Sequence, residues 1–166
     1  MTISIVNMGQ SVIRDEGQFA CALRALDRRD FAAAELAFSQ LLADARFNAK
    51  DRAVLLNKRG VARIGLERRG EARVDFKEAL ALDAGHAPAL TNLANLSLEE
   101  GDVETAIAGY ERAIAVDPEY AIAHLNLGVA YKRAGRVAEG VRALRHAQRL
   151  EVRANAARSW QQARRR

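Results

Sequence analysis

The sequence predicts an all-α fold, a solenoid of antiparallel helix pairs, and two observations support this prediction. The 166-residue chain resembles itself at an offset of 34 residues, a period typical of stacked helical repeats. Alanine occupies 34 positions and proline only two, a composition that favours helix over strand. With 49% hydrophobic and 28% charged residues, the chain has enough apolar surface to form a packed core.

The repeat is clearest in the second half of the chain. There, Asn92-Leu93-Ala94 aligns with Asn126-Leu127-Gly128. The same offset extends toward the N-terminus, where four additional residues at 49–52 interrupt it. The predicted organisation is an N-terminal extension at 1–14, four repeats at 15–48, 53–86, 87–120 and 121–154, and a C-terminal capping helix with a basic tail at 155–166.

Each repeat contains two helical stretches of about a dozen residues, a common helix length. Gly101 and Gly135 lie where the first helix must end, since glycine adopts left-handed dihedrals at little cost. Small residues in the first helix let its backbone approach the second helix, whose bulky residues fill the remaining space. The small residues are Gly60, Ala94 and Gly128, and the bulky ones are Phe38, Phe76, Tyr110 and Leu144.

These units resemble the tetratricopeptide repeat. The residues that carry the resemblance are Leu127, Gly128 and Tyr131 in the stretch 124–131, and Ala106, Tyr110, Ala113 and Pro118 in the stretch 104–118. Glu67 departs from the family pattern because it replaces the glycine between the two helices. The resemblance implies a right-handed α-solenoid superhelix. It also implies a non-catalytic adaptor that holds a peptide or helix of a partner protein in a concave groove.

The resemblance also implies which residues face the groove. They are Asn57, Lys58, Val61, Asn92, Asn95, Leu98, Ile122, Asn126, Val129, Lys132 and Arg133. A side-chain amide offers both a donor and an acceptor, so the asparagines are expected to pair with the main chain of an extended peptide. The alternative is that they satisfy nearby carbonyls of the protein itself.

A carboxylate clamp for a C-terminal acidic peptide, as found in heat-shock cochaperones of this family, is not expected. Four of its five places hold other residues, among them Val61 and Ile122.

Two other functions remain open. Residues 121–166 hold 11 basic and 2 acidic side chains, and Arg142, Arg145, Arg149 and Arg153 follow one helix stripe. This stripe is a candidate patch for an anionic partner, although a solvated outer face is the preferred interpretation and nucleic acid is not the expected partner. The second alternative is a self-assembling scaffold, a homo-oligomer in which the apolar segment Ile3–Ile13 docks on another copy.

No catalytic, metal-binding or cofactor motif occurs, so an enzyme is not expected. The histidines His86, His124 and His146 lack metal-ligand spacing. Cys21 occupies an apolar repeat position and is expected to be buried, whereas carboxylates such as Asp75 are expected on helix surfaces.

The termini complete the expectations from the sequence. The single cysteine, the absence of a secretory signal and the absence of a long apolar run predict a cytoplasmic protein that does not enter a membrane. At the other end, Ala156, Trp160 and Ala163 recur on one helical face, so Trp160 is expected to cover the final repeat.

Overall fold

The computed structural model describes residues 16–164, and this part of the chain folds into eight α-helices arranged as four sequential antiparallel pairs. The all-α prediction is therefore confirmed. The chain divides into two compact units, residues 1–84 and 85–166. The helices of the first unit are α1 Glu16–Asp27, α2 Phe31–Ala43, α3 Ala49–Gly65 and α4 Arg69–Leu82. Those of the second unit are α5 Ala87–Glu99, α6 Val103–Val116, α7 Ala121–Arg133 and α8 Val137–Ala163.

Polar side chains cap the start of three helices. Asp30 and Asp102 each accept a hydrogen bond from a backbone N–H in the first turn of the helix that follows. Asn48 does the same for α3, where its Oδ1 lies 2.9 Å from the amide nitrogen of Asp51. The four additional residues at 49–52 therefore form the first turn of α3, which makes this helix 17 residues long.

The end of every first helix has the same backbone conformation. Gly101 and Gly135 have φ angles of 88° and 77°, as their positions predicted. Arg29 and Glu67 adopt the same left-handed conformation, with φ of 61° and 60°. Each of these four residues is the fifteenth residue of its repeat, because it lies 14 residues after the residue at which that repeat begins. The turn therefore fixes the repeat register even where a side chain costs about 1–2 kcal/mol in this conformation.

Close contacts between small and bulky residues join the two helices of a pair. A Cβ atom added to Gly60 would lie 2.5 Å from the ring of Phe76, and one added to Gly128 would lie 2.6 Å from Cγ of Leu144. Phe76 is fully buried. The predicted pairing of small and bulky positions is thus confirmed, because only glycine leaves room for these side chains.

We expect Gly60→Ala to destabilise the first unit by about 1–2 kcal/mol. The added methyl group collides with the buried Phe76 ring, and this overpacking outweighs the gain of about 1 kcal/mol in helix propensity. Gly70→Ala is the matched control, because its added Cβ has no atom within 4 Å apart from those of its chain neighbours and its own helix backbone, and the helix-propensity gain remains. Urea unfolding followed by circular dichroism measures both changes. Equal stability of the two variants would contradict the packing argument.

An ion-pair network connects three helices of the first unit. Asp75 of α4 is fully buried, and it accepts hydrogen bonds from Arg59 of α3 at 2.6 and 3.0 Å. Arg63 lies 3.0 Å from the same carboxylate and 2.9 Å from Glu35 of α2. The expectation that Asp75 lies on a helix surface is therefore wrong. Its charge is tolerated in the interior because two guanidinium groups surround it.

Cys21 also differs from the expectation, because its side chain is exposed. In the fourth repeat, Leu127 occupies the same position and packs against Leu98 and Ile107 of the preceding helix pair. Within the described residues, no helix precedes α1. Cys21 has no such neighbouring helix pair within the described residues, so its side chain stays exposed.

The last helix differs from the predicted boundary at residue 155. The helix α8 is continuous over 27 residues, and residues 151–164 are exposed throughout. Its partner α7 has 13 residues, which corresponds to about 20 Å, so α7 can cover only the first half of α8. Trp160 is 63% exposed, and its ring stacks with the guanidinium group of Arg164 at 4.6 Å. The expectation that Trp160 covers the final repeat is therefore wrong. The N-terminal extension at 1–14, with the whole segment Ile3–Ile13, lies outside the described residues.

Candidate functional site

A hydrogen-bonded cluster joins α5, α6 and α7 in the second unit. Oδ1 of Asn95 accepts one hydrogen bond from the hydroxyl of Tyr110, at 2.7 Å, and one from Nδ2 of Asn126, at 2.8 Å. Tyr110 is fully buried and lies in the apolar core that these three helices share. The core therefore holds the Asn95 side chain in one orientation, and Asn95 in turn orients Asn126.

This cluster leaves one polar atom of each amide available. Within residues 16–164, neither Nδ2 of Asn95 nor Oδ1 of Asn126 forms a hydrogen bond with another residue. Both side chains are half-buried. An adjacent N–H donor and carbonyl acceptor match the acceptor and donor of a peptide backbone.

Apolar side chains surround the Asn126 amide on α7. Ile122, Leu125 and Val129 are all exposed, and their spacing places them on one side of the helix. Asn126 lies four residues after Ile122 and three before Val129, so the amide is at the edge of this apolar strip. Near the helix end, Arg133 donates a hydrogen bond to the carbonyl oxygen of Leu98 at 3.3 Å. The side chain of Lys132 is exposed.

The remaining predicted groove residues are less accessible. In the first unit, Asn57 is only 4% exposed, whereas Lys58 and Val61 are half-buried on α3. In the second unit, Leu98 is buried in the shared core. The expectation that Asn57 and Leu98 present their side chains to a partner is not supported by this burial. Asn92 is half-buried and has a polar interaction of its own.

The arginine stripe on α8 is exposed. Arg142, Arg145 and Arg149 lie in the part of α8 that α7 covers, and Arg153 lies just beyond it. Arg149 bonds to Nδ1 of His146 at 3.2 Å, and the His146 ring lies 4.4 Å from that of His124. Desolvation, followed by the neighbouring His124 and arginines, lowers the pKa of His146. Among the described residues, none of the four arginines forms a salt bridge with a carboxylate.

Tyr110 is the functional residue whose role the sequence analysis missed. It was predicted only as a bulky filler, yet its hydroxyl positions Asn95. The signal was present, since the other bulky positions hold phenylalanine or leucine, which cannot donate a hydrogen bond. A buried tyrosine hydroxyl usually has a polar partner, and the half-buried Asn95 is the polar side chain nearest to it in the core.

We expect Tyr110 to make the chain sensitive to alkaline pH. Desolvation by burial raises the pKa of Tyr110 to about 12. The unfolded chain loses this proton near pH 10, so the contribution of Tyr110 is complete below that pH and is lost as the pH rises toward 12. The expected loss is about 2–3 kcal/mol. Between about pH 9 and pH 11.5, the free energy of unfolding should fall more for the wild type than for Tyr110→Phe. Equal losses in the two proteins would contradict this assignment.

Within residues 16–164, no helix is both long enough and apolar enough to cross a lipid bilayer.

Comparison with known proteins identifies the repeat. Residues 94–135, which include all of α6 and α7, match the family model described as a tetratricopeptide repeat. The crystal structure of MamA superposes with a TM-score of 0.66 at 20% identity, covering 86% of this chain and 81% of MamA. The Arabidopsis OM64 tetratricopeptide domain superposes with a TM-score of 0.59 at 24% identity, covering 64% of this chain and 88% of that domain.

A third structure contains a ligand. It is the second tetratricopeptide domain of Spaghetti (RPAP3) bound to the HSP90 peptide SRMEEVD. This domain has a TM-score of 0.57 at 23% identity, and the match covers 61% of this chain and 94% of that one. At these identities, the solved structures establish the fold, and the family model establishes the repeat within it. Residues 94–135 therefore contain a tetratricopeptide repeat, and the described helices share the fold of proteins built from such repeats, which generally serve in protein interactions and are generally non-catalytic.

Proposed function

We propose that this protein is a non-catalytic adaptor that binds an extended peptide segment of a partner protein along α5 and α7. The observation that carries the proposal is the Asn95–Asn126 pair, which leaves one donor and one acceptor side by side. In the proposed complex, Nδ2 of Asn95 donates to a peptide carbonyl and Oδ1 of Asn126 accepts from a peptide N–H. The fixed orientation of both amides reduces the entropy lost on binding.

The surroundings of the pair indicate which peptide fits. Ile122, Leu125 and Val129 offer an exposed apolar strip beside Asn126, so the peptide should place apolar side chains there. The RPAP3 domain binds a peptide with an acidic C-terminal end, SRMEEVD. This chain has Ile122 and Val61 at places where a carboxylate clamp needs polar or basic residues. The proposed ligand is therefore an internal apolar segment that is recognised through its backbone.

A displayed peptide library followed by a backbone substitution tests the proposal. Peptides are selected on the full chain, and isothermal titration measures their affinity for the wild type and for Asn126→Ala. The substitution should weaken binding about tenfold. N-methylation of the peptide nitrogen that faces Asn126 removes the donor. It should weaken binding to the wild type and have little further effect on Asn126→Ala.

The control is Asn155→Ala, which removes an exposed amide from α8 far along the chain from α7. This variant should bind the selected peptides with unchanged affinity. Selected peptides that bind Asn126→Ala as tightly as the wild type would show that the ligand binds elsewhere. If N-methylation at each peptide position in turn left the affinity unchanged, the protein would not be recognising the peptide backbone.

A further inference from the structure

The second unit contains one interhelix surface that is covered and a matching surface that is exposed. The helices α5 and α6 begin at residues 87 and 103, and α7 and α8 begin at 121 and 137, an offset of 34 residues in both cases. Val103 and Ile107 of α6 pack in the core cluster with Ala130 and Tyr131 of α7. The residues of α8 that lie 34 positions after Val103 and Ile107 therefore mark the surface on which a following helix would pack.

Those matching residues of α8 are apolar and exposed. Val137 and Val141, which correspond to Val103 and Ile107, are 56% and 36% exposed. Val152 is also exposed and lies eleven residues after Val141, which is three helical turns, so it extends the same side of α8. We call Val137, Val141 and Val152 the valine face. Its register matches a surface that, one repeat earlier, is covered by a helix.

The charge beside the valine face indicates what kind of helix would cover it. One repeat earlier, Glu111 of α6 accepts a hydrogen bond from the hydroxyl of Tyr131 at 2.7 Å. The residue 34 positions after Glu111 is Arg145, which forms no salt bridge within the described chain. Arg142 and Arg149 lie on the same stripe. A carboxylate at the place that Tyr131 occupies on α7 would therefore meet the guanidinium group of Arg145.

We propose that the valine face binds an amphipathic helix of a partner protein, with small apolar residues toward the valines and acidic residues toward Arg145. This site is separate from the peptide face on α5 and α7.

A second copy of this chain fits less well at the same face. Two arginine stripes would come together in a symmetric pair, and the outward side of α1 carries Gln18, Cys21 and Arg24 in place of apolar residues. The exposed turns at 151–164 support the proposal, since an isolated helical segment of this length gains stability from packing.

The experiment uses a peptide derived from the helix that covers the matching surface. The probe is a stapled, fluorescein-labelled peptide with the sequence of residues 121–134 in which Tyr131→Glu supplies the acidic group. A second peptide carries Tyr131→Lys at the same place. Fluorescence anisotropy with the full chain should show that the acidic peptide binds at least about tenfold more tightly than the basic one. This preference should weaken as salt is added.

Two variants locate the binding. Val141→Glu places a charge in the valine face and should weaken the acidic peptide about tenfold, while Val74→Glu, at an exposed valine of α4, should have no effect. Arg145→Glu should reverse the preference so that the basic peptide binds more tightly. This charge reversal keeps the test decisive even if Val141→Glu lowers the helical content measured by circular dichroism.

Three results would overturn the proposal. The first is that neither peptide binds, or that the wild type and Arg145→Glu each bind the acidic and the basic peptide with equal affinity. The second is that binding survives Val141→Glu and is lost in Asn126→Ala, which would place the helix on the peptide face of α5 and α7. The third is a dimer in sedimentation velocity that Val141→Glu dissociates, which would assign the valine face to a second copy of this chain.

Discussion

Replacing Asp75 with alanine is expected to lower the free energy of unfolding of the first unit by about 3–5 kcal/mol. The carboxylate is fully buried and lies 2.6 Å from Arg59 and 3.0 Å from Arg63. Its removal leaves two guanidinium groups in a partly buried site without their shared counter-charge. Glu35 continues to pair with Arg63, so the loss falls mainly on Arg59, which is bonded to Asp75 through both Nε and Nη2.

Urea unfolding measures this loss, and hydrogen exchange locates it. Amide protection should fall in α2, α3 and α4, the helices that the network joins. Asp27→Ala is the control, because Asp27 is an exposed carboxylate at the end of α1 and its removal should change stability by less than about 0.5 kcal/mol. A loss below about 1 kcal/mol in Asp75→Ala would mean that the buried ion pairs only offset the cost of their own desolvation.

Replacing Tyr110 with alanine is expected to destabilise the second unit by about 3–5 kcal/mol. This side chain has no exposed surface and packs with Ala94, Leu98 and Leu127 in the core that joins three helices. Truncation creates a cavity and removes the hydrogen bond to Asn95. The same variant should weaken any peptide that binds beside Asn126, because the amide pair loses its anchor.

Tyr110→Phe separates these two effects. The phenyl ring still fills the core, so stability near neutral pH should fall by only about 1 kcal/mol, the net value of one hydrogen bond. Peptide affinity should fall further than this small loss of stability would explain, since Asn95 is no longer held in one orientation. Chemical denaturation and titration with the selected peptides provide both measurements. A Tyr110→Ala variant as stable as Tyr110→Phe would show that the core repacks around the missing ring.

The fold could be predicted from the sequence because the repeat constrains backbone and side chains at the same positions. The contacts of Gly60 with Phe76 and of Gly128 with Leu144 followed from aligning residues 34 apart. The left-handed residue at repeat position 15 was predictable where it is Gly101 or Gly135. Glu67 carries no such signal by itself, since its conformation is imposed by the helices on either side.

Burial at particular positions could not be predicted in the same way. Asp75 looks like a surface carboxylate until the three-dimensional structure brings arginines from α3 to it. Cys21 was expected to be buried from its repeat position, and Trp160 from the apolar face that it shares with Ala156 and Ala163, but no neighbouring helix covers either residue within the described part of the chain. Periodicity reports the position of a residue within a repeat, whereas burial also depends on what lies beside that repeat.

The candidate site was predictable in part. The repeat position of Asn126 indicated an amide near a partner, but its bond to Asn95 joins residues 31 positions apart on different helices. The orientation of a side-chain amide depends on such neighbours, and these are specified by packing rather than by spacing. The valine face escaped the sequence analysis for a similar reason, because Val137 and Val141 read as ordinary apolar positions of a stacked helix.

The exposed end of α8 has a consequence for how long the chain stays intact. A protease binds its substrate in an extended form, so a helix must unwind before it is cut, and turns without packing partners unwind at little cost. Trypsin should therefore cleave first after Arg153 and Arg158, while Arg59 and Arg63 stay protected in the first unit. Among the residues that the structure describes, the C-terminal segment is thus the part that digestion removes earliest. The proportion of chains that keep this segment in a cell would report the fraction of time that another molecule covers it.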